Sequence, residues 1–236
     1  MGSVNYIDAV NAALDRLHTT GFYIGDFFAN HGPMAAEALA KLGYCEQVEG
    51  WVDANIAHRQ HGLLPKPSEL QVDELARALA FWATVFTSLA TDPGPGDDHA
   101  AAVVDRALSD LTAEYAGHYA MTKPSFPIPL IHTITAPAAM RLLLPELPEE
   151  LHVPALRTMA QVNAELFTRF GGQRAPGSTE PIEADRTFAE LAAEAVDIGD
   201  EHAIKICEAA MRENAIRPDA RYLSAASTAV DLIRSR

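Results

Sequence analysis

Four histidines fall where the residues three or four positions away are apolar. His202, for example, shares a predicted helical face with Phe188, Ala195 and Ile206. The complete set is His31, His118, His132 and His202. Imidazole nitrogens bind zinc, copper, iron and nickel in proteins. The spacing therefore predicts four imidazoles that point to the interior from four separate helices.

Two interpretations of these histidines stay open. One histidine on an apolar face is most simply a core residue whose ring nitrogens bond a backbone carbonyl or a buried water. Four such rings would need four separate partners, whereas one metal ion or one polar cavity would satisfy them together, and helical bundles do build metal sites from facing helices. Neither an HExxH motif nor a pair of ExxH motifs is present.

A lysine follows His202 by one helical turn, at the edge of the same face. Lys205 could extend its aliphatic stem along apolar surface and keep its ammonium in water. It could instead be a buried amine with a lowered pKa. Such an amine could act as a base, or react with carbon dioxide and become a carboxylate ligand. The sequence leaves these alternatives open.

The elements that must position these residues are helices. Apolar periodicity and turn signals predict helices at about 4–18, 31–42, 45–60, 69–90, 98–120, 128–143, 153–170, 184–214 and 218–234. Asn30 is the expected N-cap of the second helix, and Pro137 should kink the sixth and free the carbonyl of Thr133. Residues 171–183, rich in glycine and proline, are a loop or lid candidate. We find no alternating pattern long enough for a sheet. The prediction is an all-α fold, a single compact domain over 1–236 with about eight or nine helices.

Composition and charge limit the classes of binding partner that we expect. The net charge is −14, which disfavours nucleic acid and anionic membranes. No signal peptide opens the sequence, and the two cysteines fit no CxxC pattern. No Rossmann or P-loop phosphate fingerprint and no GxSxG motif is present. We expect a soluble cytoplasmic protein with a small-molecule substrate; a monomer and a homodimer both remain open.

Three segments resemble a known family. "FFANHGPMAAEALAKLG" with "VEGWVDANIAHR", then "IHTITAPAAMRLL", then "DEHAIKICEA" are similar to segments of the questin oxidase-like proteins, in the same order. Together they cover about a third of the chain. The chain is shorter than the fungal members, and residues 68–125 match no pattern of the family.

The resemblance implies an α-helical oxidoreductase of Baeyer–Villiger type. The family's namesake activity opens an anthraquinone ring oxidatively during polyketide tailoring, with NADPH, and related enzymes are thought to use histidine-bound non-haem iron. Carried over by position, His31, His132 and His202 would hold Fe(II), with Lys205 and Asn30 as candidate catalytic residues. His118 joins the metal ligands on periodicity alone.

The leading hypothesis is therefore an oxygenase that acts with dioxygen on an aromatic polyketide or quinone-like substrate. Four aromatic residues could line its mouth or simply fill the core: Phe22, Tyr23, Phe27 and Phe28. One rival is a non-catalytic helical ligand-binding protein with a buried histidine cluster. The other is a hydrolase or isomerase with a histidine base.

Overall fold

Nine α-helices make up most of the described residues. The computed structural model describes residues 4–24, 28–59, 61–63, 98–122, 127–171 and 185–236. The helices are α1 Tyr6–Leu17, α2 Gly32–Lys41, α3 Val48–His58, α4 Asp98–Thr122, α5 Ile128–Leu143, α6 His152–Phe170, α7 Phe188–Ile198, α8 Glu201–Ile216 and α9 Ala220–Arg234. The predicted helix at 69–90 and nearly all of the predicted loop 171–183 lie outside the described residues.

The helix α8 is at the centre of the fold. Residues 201–210, its first ten, are all buried. It packs against α2, α5, α7 and α9, and α4 packs against α5 and α9. Alanines such as Ala203 and Ala210 are fully buried there and let neighbouring backbones approach closely. These contacts form a single all-α domain, as predicted.

The predicted helix at 184–214 is wrong as a single element, because it breaks at Gly199. This glycine has φ +73°, a left-handed conformation that ends α7. Asp200 follows as the N-cap of α8, and its carboxylate accepts a hydrogen bond from the His202 N–H at 2.8 Å. His202 therefore lies in the first turn of a new helix, not in the middle of a long one.

The cost of replacing Gly199 is open to measurement. A Cβ at Gly199 would meet no atom within 4 Å, so alanine there suffers only the backbone strain of a positive φ. Gly199→Ala should lower the free energy of unfolding by about 1–2 kcal/mol. Gly50→Ala is the matched control, because Gly50 is an exposed helical glycine with open space around it; alanine there should stabilise by about 0.5–1 kcal/mol. Urea unfolding checks both values, and equal effects would contradict the account.

A small sheet was not predicted. Strand β1, Thr20–Ile24, pairs antiparallel with both β2, Phe28–Ala29, and β3, His61–Leu63. Strands of two to five residues are too short to show an alternating pattern. Strand β2 ends two residues before His31, so the sheet fixes the path of the backbone into α2.

One predicted effect of Pro137 on α5, the free carbonyl of Thr133, is confirmed. Pro137 lies inside the helix, where it cannot donate to the carbonyl of Thr133. The Nδ2 of Asn163, on α6, donates to that carbonyl at 2.8 Å, and both residues are buried. The proline therefore leaves free an acceptor that a neighbouring helix uses, at the residue directly after His132.

The segment that contains α5 is unusually apolar. Residues Ile128–Glu146 are long and apolar enough to cross a membrane by length and composition alone. In the fold, however, α5 packs against α4, α6 and α8. Leu130, Ile131 and Ile134 are fully buried in the core, whereas Leu142 and Leu143 at the end of α5 are exposed.

Candidate metal centre

Three of the four predicted histidines meet. The ring centroids of His31 and His132 are 5.2 Å apart, those of His31 and His202 are 5.0 Å apart, and those of His132 and His202 are 5.5 Å apart. Each ring offers one nitrogen such that the three nitrogens lie within 4.8 Å of one another. The residues come from the start of α2, the first half of α5 and the first turn of α8. These three side chains are called the histidine cluster below.

Backbone geometry sets the orientation of His132. Its Nδ1 lies 2.9 Å from the carbonyl oxygen of Ile128, one turn earlier in α5. A carbonyl only accepts, so Nδ1 carries the proton and donates it. The Nε2 then keeps its lone pair, which is the state that a metal ligand needs.

A carboxylate plays the same part for His202. The Nδ1 of His202 lies 3.3 Å from Oδ1 of Asp200, which is also the N-cap oxygen of α8. The Nε2 of His202 is buried and has no hydrogen-bond partner among the described residues. A buried polar atom without a partner is rare in folded proteins and requires an explanation. A carboxylate behind a histidine is also a common arrangement at metal sites, where it fixes the tautomer of the ligand.

Asn30 positions the third histidine. Its Nδ2 donates to Oγ1 of Thr20 and to the carbonyl of Gly21, both at 3.0 Å, and its Oδ1 accepts from the Gly32 N–H at 3.0 Å. The N-cap of α2 is His31 and not Asn30, so that prediction is wrong by one residue. The side chain of Asn30 instead connects the start of α2 to β1 through hydrogen bonds. His31 lies between Asn30 and Gly32, which are bonded to each other, and its backbone position is therefore fixed.

Two members of the histidine cluster, His31 and His132, are neutral at physiological pH. Burial, followed by the charge of Lys205, lowers the pKa of His31 to about 3. The same two causes lower the pKa of His132 to about 4. Neutral imidazoles have a lone pair to give, so the environment favours the ligand form over the imidazolium.

Lys205 is buried beside the cluster and does not reach solvent as a surface lysine would. The residue is 7% exposed, and burial lowers its pKa to about 8 against the opposing charges of Glu201 and Asp200. In the described part of the chain its ammonium has no hydrogen bond and no carboxylate within 4.0 Å. Of the two alternatives drawn from the sequence, the buried amine is the one that the structure supports.

Ion pairs with Arg59 hold the carboxylate of Asp200, which contacts His202, in place. Arg59 lies 3.7 Å from Asp200 and 3.1 Å from Glu201, and Asn55 donates to Glu201 at 3.3 Å. Burial raises the pKa of Asp200, but hydrogen bonds and charge from His202, and the charge of Arg59, outweigh it and lower that pKa to about 2. Asp200 is thus a carboxylate over the whole physiological range.

His118 does not join the other three. Its ring packs against Phe167 with centroids 4.9 Å apart and against Tyr115 at 5.8 Å, and its Nε2 lies 3.6 Å from Glu114 on the same helix. The periodicity of α4 turns His118 toward α6 and not toward α8. The expected convergence of four histidines is therefore a convergence of three.

A cavity of about 430 Å³ is bordered by Asp200. Trp51, Asn55, Arg59, Ile198 and Asp200 are among the residues that line it. Its size is in the range of small-molecule sites. Asp200 thus borders this cavity and also supports His202.

The histidine cluster fits a divalent transition-metal ion. Bonds of about 2.1 Å hold two ligands of one ion about 3.0–3.5 Å apart, so ring rotations that shorten the widest separation by roughly 1–2 Å would bring all three nitrogens to one ion. Such an ion would also give the Nε2 of His202 the partner it lacks. Three protein ligands leave coordination positions open, as at catalytic metal sites.

Asp200 is the functional residue of the site that was not among the predicted ones. The signal was present, because an aspartate two residues before a histidine, directly after a glycine, is a typical N-cap. The side chains of Phe22, Tyr23, Phe27 and Phe28, proposed to line a mouth, lie outside what the structure describes.

Comparisons with protein-family models, with curated proteins and with solved structures find no match to this chain.

Proposed function

We propose that this protein is a metal-dependent oxidoreductase that uses dioxygen, with His31, His132 and His202 holding one divalent ion. The observation that carries the proposal is the meeting of three imidazoles from three helices around a buried Nε2 without a partner among the described residues. Fe(II) is the candidate ion, since imidazole suits iron as well as zinc, copper and nickel. Iron supplies the one-electron chemistry with dioxygen that side chains lack.

The residues of the chain divide the remaining work. The carbonyl of Ile128 and the carboxylate of Asp200 keep the Nδ1 protons of His132 and His202 in place, so that both rings present Nε2. Asn30 positions His31 and touches no reacting atom in this account. Lys205 offers a buried hydrogen-bond donor beside the cluster.

The family resemblance supports an aromatic substrate. The three segments similar to the questin oxidase-like proteins contain the same three histidines that converge, and do not contain His118. We therefore propose oxidative ring opening of a quinone-like or polyketide substrate, of Baeyer–Villiger type, with NADPH as candidate reductant and the cytoplasm as its place.

The cavity beside Trp51 favours a second candidate function. A helical protein that binds a small ligand there, without catalysis, would use the histidines only as a polar core. Metal content separates the two functions, because this alternative requires no ion.

Reconstitution tests the proposed function. Purified protein is incubated anaerobically with Fe(II), desalted and assayed for iron, then supplied with NADPH, 1,4-naphthoquinone-type or anthraquinone-type substrates and oxygen. We expect about one iron per chain and oxygen uptake that needs both iron and substrate. Protein that retains no iron after desalting would contradict the proposal and favour the metal-free alternative.

The carboxylate of Asp200 should strengthen metal binding. Asp200→Asn keeps an N-cap side chain but removes the charge behind His202. We expect metal affinity to fall by about 10- to 100-fold. The metal-free protein should also lose some thermal stability, because the ionised carboxylate pairs with Arg59 and has a lowered pKa. Asp219→Asn, at the N-cap of α9, is the matched control and should leave metal affinity unchanged. Chelator competition measures both, and equal affinities in the two variants would refute this role.

A further inference from the structure

Lys205 and His202 emerge from the same side of α8. They are three residues apart in the helix, so their side chains are neighbours. Helix α8 packs against α2, which His31 precedes, and against α5, which carries His132, and the charge of Lys205 lowers the pKa of both histidines. Lys205 therefore belongs to the candidate metal centre and not to the surface.

The donors of Lys205 lack an acceptor. The acidic residues nearest to it in sequence are engaged elsewhere. Glu208 accepts from Arg212, Glu201 accepts from Arg59 and Asn55, and Asp200 accepts from His202. Within the described residues, no carboxylate lies within 4.0 Å of its ammonium. A lysine side chain only donates, so the ammonium of Lys205 has hydrogen bonds to offer to an acceptor on a ligand.

The charge balance around the cluster points to the missing acceptor. Imidazole ligands carry no negative charge, so a divalent ion held by three of them, with Lys205 nearby, would leave positive charge in a buried site. Two carboxylates could offset this charge, those of Asp200 and Glu201, but each already forms an ion pair with Arg59. An anionic oxygen supplied by a ligand would satisfy the ion and the lysine together.

We propose that Lys205 recognises substrate as an oxyanion, the ionised phenol or enol of a quinone-like molecule, whose oxygen accepts a hydrogen bond from Nζ. This inference rests on the proposed function and adds the charge class of its substrate. It predicts that an ionised hydroxyquinone binds better than a neutral quinone of the same size, and that the difference depends on Lys205.

Two matched quinones test the proposal. The 2-hydroxy-1,4-naphthoquinone is an enolate at neutral pH, and 2-methoxy-1,4-naphthoquinone is neutral with the same rings. Equilibrium dialysis with zinc-loaded full-length protein measures binding without turnover. We expect the enolate to bind about tenfold to one hundredfold more tightly than the methoxy compound.

Variants of Lys205 complete the test. Lys205→Met keeps the length of the side chain and should reduce enolate binding by about tenfold or more, so that the preference for the enolate over the methoxy compound is lost. Lys205→Arg keeps the donor and should retain part of the preference. Metal content and thermal unfolding of each variant establish that the site is intact.

The outcomes separate this inference from the proposed function. Wild-type protein that holds zinc but binds both quinones equally overturns the role of Lys205 alone. Protein that holds no metal overturns both. A ¹³C carbamate signal after incubation with ¹³C-bicarbonate, present in wild type and absent in Lys205→Met, also overturns the inference, because the modified lysine would itself be an anion.

Discussion

Replacing His132 by alanine is expected to abolish stable metal binding. His132 contributes one of the three nitrogens of the histidine cluster. Its Nδ1 is bonded to the carbonyl of Ile128, so Nε2 is the ring nitrogen that can bind a metal. Loss of an outer partner of a metal ligand already costs up to about a hundredfold in affinity. Loss of the ligand itself should cost more, so the variant should emerge from desalting without metal.

His118→Ala is the matched control for this loss. It removes another inward-facing histidine, but one that packs against Phe167 away from the cluster. Elemental analysis after desalting should find metal in His118→Ala and wild type, and none in His132→Ala. Equal metal content in the two variants would show that the cluster is not the binding site.

Replacing Arg141 by methionine is expected to cause the largest loss of stability. The carboxylate of Glu213 has no exposed surface, and it accepts hydrogen bonds from Nε and Nη2 of Arg141 at 2.9–3.2 Å. Arg212 adds a longer contact at 3.3 Å. Removal of one partner of a buried ion pair leaves an uncompensated charge and costs about 3–5 kcal/mol. Urea unfolding of the metal-free protein measures it.

Two further variants serve as controls for the stability loss of Arg141→Met. Arg169→Met breaks an exposed pair with Glu165 and should cost less than about 0.5 kcal/mol. The double variant Arg141→Met, Glu213→Leu removes both buried charges and should recover much of the loss. A small effect of Arg141→Met, similar to that of Arg169→Met, would mean that Glu213 is not the buried anion described here.

The sequence was sufficient to select the histidines but not to group them. Helical periodicity identifies which face of a helix is buried, and it placed His31, His132 and His202 inward correctly. It also placed His118 inward, because periodicity does not say which neighbouring helix a buried face meets. That choice depends on how α4 packs against α6, which no local pattern contains.

The break at Gly199 was readable and was missed. Alanine-rich sequence on both sides suggested one long helix, although a glycine followed by aspartate is a common end and start. The consequence reaches the site, since the new N-cap, Asp200, is also the carboxylate behind His202. Local capping chemistry thus sets the tautomer of a candidate metal ligand.

The free carbonyl in α5 could be predicted from the sequence, but the residue that bonds it could not. Pro137 was enough to predict a free carbonyl at Thr133, because proline lacks the N–H that would bond it. The donor that satisfies it, Asn163, lies 30 residues away on α6. Contacts of this kind depend on tertiary packing and carry no signature in either segment.

Crystals of the iron-reconstituted protein, measured on both sides of the iron absorption edge, test the central claim most directly. The account predicts one anomalous peak at about 2.1 Å from a nitrogen of each of His31, His132 and His202. Three rings each bonded to a separate carbonyl or water, with no anomalous peak between them, would contradict it.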